Sequence, residues 1–442
     1  MIPRTRRWTV TAVAVVASAG LLSGCSGAAV GGSTGGSASG IIDTGNCPQG
    51  FDTMGITDDT VKIGQSAAFS GSAASPIPLG FAAYVAMKNS EGGFEFGDGK
   101  RRKVELTALD DGYEPARARS NVDKLVNGDK VFAIASMYGT PTNLAAREVN
   151  AEACTPNVYS NTSNDELGNP AYPWTLAPVG PPSSEDAMAS VKFIVGKNPN
   201  AKIAVLYQND DFGKLLLAAF KDQLKTTGAT LAAEQTFSPS DSAVSAQITT
   251  IAGSGATDFV MFAGAGTYQL QALESIAQSN WKPETKYLTG FQSSYLDQLS
   301  PAAAQNVFFS IWAKNPNDPD AVARDQGLQT FLEWYKKQPG AAALNPAFGT
   351  YGWTSGQLLD LTFKAMKTPT RTALIDATRH LTYTGPSLMH EGITWSMDWP
   401  HNPYGMVKEY VMGYDPGGAA GRKFKEMTLI DLTGQITYRK YS

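Results

Sequence analysis

From residue 61 onward, short apolar runs alternate with longer stretches in which apolar residues recur every three or four positions. VKIGQSAAF (61–69) predicts a strand and PLGFAAYVAMKNSEGG (78–93) a helix closed by glycine. KVELTALDD (103–111) then predicts a strand, EPARARSNVDKLVNGD (114–129) a helix ending in Asn-Gly, VFAIAS (131–136) a strand, NLAAREVNAEA (143–153) a helix and NVYS (157–160) a strand. The rhythm restarts at the strand KIAVLYQ (202–208) and the helix GKLLLAAFKDQLKTTG (213–228). It continues through the strand TLAAEQTF (230–237), the helix AVSAQITTIAGSG (243–255), the strand DFVMFAG (258–264), the helix YQLQALESIAQSN (268–280) and the strand KYLTG (286–290). Strands alternating with helices of this length predict βαβ units, parallel sheets and right-handed crossovers. Two α/β units of similar size are the simplest arrangement. APVGPPSSEDAM (177–188), with its prolines and glycine, predicts a crossing between them.

The N-terminus obeys a different pattern. MIPRTRRW is positively charged, TVTAVAVVASAGLL is an apolar core of roughly 14 residues, and small residues follow, which is the layout of a secretory signal over residues 1–24. Such a core is too short for a membrane-spanning helix. LSGC resembles the lipobox of bacterial lipoproteins, which implies that Cys25 is acylated and becomes the first residue of the mature chain; an ordinary signal peptide with a chance cysteine is the alternative. The following SGAAVGGSTGGSASG cannot pack a core and predicts a flexible tether across 25–56. About 20 such residues give a reach of roughly 25 Å. GGSTG (31–35) matches G-x-S-x-G, but a Gly/Ser linker lacks the strand and helix that a nucleophile elbow needs.

Composition narrows the classes further. The 442 residues are 42% hydrophobic and 17% charged, enough apolar content to fold one large or two medium cores. The formal charge is −4, and losing Arg4, Arg6 and Arg7 with the leader makes it more negative still. Nothing supplies the basic field that a nucleic-acid partner requires. The remaining cysteines, Cys47 and Cys154, form an even pair in an exported chain and predict a disulfide. His380, His390 and His401 show no ligand spacing with each other or with the cysteines, so no metal and no cofactor is expected.

The order of the pieces carries a resemblance. VKIGQSAAFSGSAASPIPLGFAAYVAMKNSEGG resembles the opening of the type I periplasmic binding proteins of the branched-chain amino acid class. LDDGYEPARARSNVDKLV resembles that family's second βα unit, ASMYGTPTNLAAREVNAEACTPNVYSNTS its third, and LYQNDDFGKLLLAAF the strand and helix that open its second lobe. The likeness runs from about 57 to 430. It implies a two-lobed fold with three inter-lobe crossings, an N-lobe of 57–177 plus 312–382 and a C-lobe of 178–311 plus 383–442. It further implies a monomer that captures a small polar or amphipathic solute between its lobes, closes by hinge motion, and delivers the solute to the membrane permease of an ABC importer.

Carried over position by position, the resemblance places Tyr138, Gly139 and Thr140 where the family offers donors to a ligand carboxylate, next to the start of a helix whose amides favour anions. Ser160, Asn161 and Thr162 match the polar turn after the fourth strand. Phe212 takes the place of an aromatic at the lip of the second lobe, Ala265 another position usually aromatic, and Phe348 an apolar wall; for Phe212 and Phe348 ordinary core packing is the alternative. Amino-acid binders of this class carry an acid where TGFQSSY has Gln292. A buried ammonium facing a neutral amide loses its charge partner. Gln292 and Phe291 therefore point to an amide, a carboxylic acid without the amine, or an aromatic compound, unless Asp210, Asp211 or Asp297 replaces the acid.

Two rival classes share features with this chain. A sensor for amides or aromatic acids uses the same two-lobed body, although a signalling segment is missing from this sequence. A Rossmann-like enzyme would use GAGTYQ (264–269), which follows a strand but lacks the third glycine of the fingerprint. DDGYE has paired acids before a helix start, a pattern that capping and the helix dipole also explain.

Overall fold

β1 (Thr60–Ala67) is buried along nearly its whole length on both faces, as a central strand of a helix-covered parallel sheet must be. The computed structural model describes residues 42–70, 74–162, 164–264, 266–289, 296–383, 387–418 and 424–440. β1 is followed by α1 (Pro76–Ser90), which begins with proline and stops at Gly92 and Gly93, both at positive φ. With β2 (Phe94–Glu95), β3 (Arg101–Asp110), β4 (Ala133–Ala135), β5 (Asn157–Val158) and β6 (Thr175–Leu176), β1 forms a six-stranded sheet in the order β2-β3-β1-β4-β5-β6. β2 pairs antiparallel with β3 and the other pairings are parallel. Besides α1, two helices connect these strands, α2 (Pro115–Asp123) and α3 (Thr140–Glu152).

The chain then crosses to a second, seven-stranded sheet through α4 (Ser183–Lys197). β7 (Lys202–Gln208), α5 (Asp211–Leu224), β8 (Thr230–Phe237), α6 (Ser245–Ala252), β9 (Asp258–Phe262), α7 (Gly266–Gln278) and β10 (Thr285–Leu288) follow the rhythm of the sequence. The sheet continues where the apolar pattern is weaker. β11 (Val307–Ile311) joins it in parallel, and β14 (Lys408–Tyr414) and β15 (Phe424–Asp431) close the edge in antiparallel fashion, giving the order β15-β14-β11-β10-β9-β7-β8.

Between β11 and β14 the chain returns to the first sheet as α8 (Pro319–Arg324), α9 (Gln326–Tyr335), α10 (Gly349–Ala365) and α11 (Arg371–Arg379). α10 lies against α1 closely enough that a side chain on Gly80 or Gly352 would run into the facing backbone, at Gly349 and Ile77 respectively. The short hairpin of β12 (Thr382–Tyr383) and β13 (Trp395–Ser396) extends this return. Tyr383, Leu388, Ile393, Trp395, Met397 and Met406 all pack in the core of the first lobe with Phe81, Phe132 and Trp353. The stretch 383–406, expected from the resemblance in the second lobe, thus sits with the first, because its aromatic and methionine side chains find their apolar partners there. Cys47 and Cys154 are bonded, with Cα atoms 5.6 Å apart, and join the segment ahead of β1 to the end of α3.

Candidate functional site

Parallel sheets leave their carboxyl ends open to the crevice beyond them, and here both sheets end on one crevice. β4 and β5 run into Tyr138, Asn161 and Thr162; β7 and β9 run into Phe212 and Gly264. Together with Ile77, Gly180, Pro181, Asp186, Ser310, Trp312, Phe348, Tyr351 and Glu409 these residues line a cavity of about 100 Å³. The walls are aromatic. Trp312 and Tyr351 lie ring to ring at 4.3 Å, and Phe348 meets Tyr351 at 5.2 Å. Across the crevice the Tyr113 hydroxyl, held in the loop after β3, donates to Asp210 Oδ2 at 3.0 Å. Asp210 caps α5 by accepting from Gly213 N at 3.2 Å and also accepts from Gln208 Nε2 at 2.5 Å. Burial raises the Asp210 carboxyl above its ordinary range and the Tyr113 hydroxyl well above its own, so the phenol remains a donor.

The polar end of the cavity is acidic. Asp186 and Glu409 line it, Glu185 lies beside them, and one carboxylate oxygen from each falls within 4.8 Å of the others. All three are almost fully buried: Glu185 is 0% exposed, Glu409 1% and Asp186 5%. Asp186 and Glu409 are hydrogen-bonded to each other, Ser310 donates to Glu409, and the Tyr287 hydroxyl lies 2.6 Å from Ser310 Oγ. Burial first, and mutual repulsion second, push Glu185 and Glu409 well above the carboxylate range. A hydrogen bond between two carboxyl groups requires a proton on one of them.

Of the residues singled out in the sequence, Tyr138, Asn161, Thr162, Phe212 and Phe348 come together on the cavity wall. Phe348 also packs with Ala74 and Ile77, and Phe212 against the second lobe's core, so wall and packing coincide. Gly139, Thr140 and Ser160 do not line the cavity. Gly139, at φ 96°, spends its amide on Asn161 O at 3.2 Å and its carbonyl on Asn143 Nδ2 at 2.7 Å. Thr140 Oγ1 lies 2.5 Å from Thr162 Oγ1, and Ser160 Oγ donates to Asn143 Oδ1 at 2.8 Å. Cys25, Ala265, Phe291 and Gln292 lie outside the described residues. Among the alternative acids, Asp210 is engaged at the lip and neither Asp211 nor Asp297 lines the cavity.

The acids at the cavity, Asp186 and Glu409, were not singled out. Asp186 in the first turn of α4 reads as a helix-dipole partner. Glu409 carried a legible signal: in KEYVMGY it shares strand parity with buried Val411, so it is a charge on an apolar face. A second cavity of about 530 Å³ opens on the opposite parity of the same strands, at Phe309, Ile311, Tyr410 and Met412. It is served from one side by Lys314, which pairs with Asp325 at 2.5 Å, and by His390, whose imidazole burial lowers to about 4.

The sequence profile of a family described as periplasmic binding protein matches residues 60–402. The chain belongs to that family. Membership makes it an extracytoplasmic protein of a solute-binding family rather than of an enzyme family. It is similar to an amino acid binding protein of Pseudomonas aeruginosa, with 25% identity over 162 residues, 37% of this chain; the match spans 43% of that relative's length. In structure it resembles a fatty acid ABC transporter substrate-binding protein from Thermomonospora curvata, with TM-score 0.68, 18% identity, and 87% and 96% of the two chains covered. It also resembles a solute-binding protein of an ABC transporter from Rhodopseudomonas palustris BisB5 in complex with 3,4-dihydroxybenzoic acid, with TM-score 0.67, 19% identity, and 85% and 98% covered. Among the described residues no helix is long and apolar enough to cross a membrane.

Proposed function

We propose that this periplasmic binding protein is a lipid-anchored receptor that captures a small amphipathic solute in the aromatic crevice between its lobes and hands it to the permease of an ABC importer. One observation carries the reading: one crevice is lined by the carboxyl ends of strands from both sheets and by the segments that cross between them. A ligand placed there touches both lobes and favours the conformation in which they close on it. The proteins it resembles in sequence and structure include amino-acid, fatty-acid and dihydroxybenzoate binders, which supports solute capture as the role and leaves its chemistry to the pocket.

Anchoring rests on LSGC and the Gly/Ser tether behind it. Native mass spectrometry of gently purified protein tests capture, since a retained solute adds its own mass, and Phe348→Asn should expel it by replacing the apolar wall with an uncharged polar amide. Retention of the same solute by that variant would argue that it sits elsewhere. Cys25→Ser tests the anchor: the variant should leave the membrane fraction or remain unprocessed, and unchanged retention with normal processing would sink that part.

A further inference from the structure

The buried side-chain atoms left without a partner at this cavity are all acceptors. They are Glu185 Oε1 and Oε2, Glu409 Oε1 and Asn161 Oδ1. The orientation of Asn161 is fixed, because its Nδ2 donates at 3.0 Å to both Ser136 Oγ and Ser355 Oγ, and Ser355 spends its own proton on the carbonyl of Tyr159 or Tyr351. Buried acceptors without donors are costly, and buried carboxylates cost more still unless a cation is paired with them. The hydroxyls expected to hold a carboxylate are meanwhile bonded elsewhere: Thr140 to Thr162, and Ser160 to Asn143. None of the described residues that line the cavity is Lys, Arg or His, so none of them brings a positive charge to these acceptors.

We propose that the pocket selects a small organic cation, a primary ammonium or an equally donor-rich group, seated on Asp186 and Glu409 with Glu185 behind them and Asn161 opposite. This rests on the reading of the cleft as the solute site, and it replaces the expectation, drawn from Gln292, of a solute without an amine. The aromatic walls favour an organic cation over a bare metal ion, since Trp and Tyr faces attract ammonium groups and bury the apolar body attached to them. When the cation binds, the proton shared by Asp186 and Glu409 leaves to solvent and both become carboxylates paired with it. Glu409 is faced by Glu185 and Asp186 from α4, Tyr287 from β10, Ser310 from β11 and Tyr351 from α10; Lys192 and Asp431 are the next charges felt by Glu185. The tyrosines remain neutral, so the exchange is one cation in and a proton out, and affinity rises with pH.

Titration calorimetry on the purified chain, freed of retained solute, tests this with ethylammonium, benzylammonium and guanidinium against benzoate, leucine and calcium. At least one of the three organic cations should bind, with proton release measured in two buffers of different ionisation enthalpy. Asp186→Asn combined with Glu409→Gln should weaken that binding by at least about thirtyfold and abolish the proton release. Proton release by the unaltered protein is the measurement that survives if the double variant fails to fold. No binding by any of the cations, unchanged affinity in a folded double variant, or calcium binding alone with the same proton release would each overturn the proposal. A neutral or acidic retained solute would overturn it while leaving solute capture standing, whereas a solute that ignores Phe348→Asn would remove the cleft reading itself.

Discussion

Tyr113→Phe removes one oxygen from the crevice and leaves the ring in place. The hydroxyl donates to Asp210 across the gap between lobes, while Asp210 keeps its bonds from Gln208 and Gly213, so no acceptor is stranded. Hydrogen bonds to charged groups contribute about 1.5–3 kcal/mol, and the surviving partners place this one at the lower end. Because water replaces the bond when the lobes part, the loss falls on the closed state and should raise the Kd of a cleft ligand by roughly tenfold. The same substitution should shift small-angle scattering of the unliganded protein toward a larger radius of gyration. The phenylalanine preserves the 5.5 Å ring contact with Tyr138, so packing is not the variable. An unchanged affinity together with an unchanged scattering profile would refute the view that this bond holds the lobes.

Three further outcomes are expected. Asp165 accepts from Ser184 N at 3.0 Å and is pushed up from 3.8 to about 6, chiefly by burial. Its folded-state value lies above its unfolded one, so its contribution is full below pH 4 and is lost between pH 4 and 6, about 3 kcal/mol in all; the difference between urea unfolding curves of the natural protein and Asp165→Asn across that range should show it, and a flat difference would refute it. Arg371 is 1% exposed and donates to the carbonyls of Val131, Phe132, Ala153 and Cys154, so Arg371→Met should cost more than about 3 kcal/mol, read as a lower urea midpoint, because these buried acceptors lose their guanidinium donor and, among the described residues, only Ala153 O keeps another, from Thr155 Oγ1. Reducing the Cys47–Cys154 bond, which closes a separation of 107 residues, should lower stability by up to about 4–5 kcal/mol in the chain-entropy picture; two free thiols in fresh, denatured, unreduced protein would refute the pairing.

The first βα units were legible because their strands carry apolar residues at regular positions and α1 and the stretch after α2 run into glycine, signals that depend only on neighbours in the chain. Strands β11, β14 and β15 were not, since Val307–Ile311 is short and β14 alternates around a glutamate whose reason lies in another element. The same holds for the site. Tyr138, Asn161 and Phe348 are aromatic or polar groups at the ends of recognisable elements and could be placed by analogy of position. Thr140 and Ser160 look equally suited, yet Thr162 and Asn143 stand close enough to satisfy them, a fact of distance that no local pattern contains. Asp186 and Glu409 are more than 200 residues apart in sequence, and only the return of the chain to the second sheet sets them against each other.

That return also explains why the polar end of the cavity lies where it does. Each passage between the lobes delivers a residue to it: Gly180, Pro181 and Asp186 follow the first, Ser310 and Trp312 precede the second, and Glu409 follows the third. The passages brace one another. Trp395 Nε1 donates to Pro178 O at 3.1 Å, His390 N to Trp312 O at 2.9 Å, and Gly180 lies against the indole nitrogen of Trp312. A hinge is a few residues at element ends that absorb the change in backbone angle, and these are such residues. A solute seated on Asp186 and Glu409 while pressed against Trp312 therefore touches all three passages at once. Its contacts differ between open and closed arrangements, which is the condition for binding to drive closure rather than merely accompany it. Buried acids at a hinge destabilise the empty protein, and the cation that relieves them does so most fully when the lobes have closed around it.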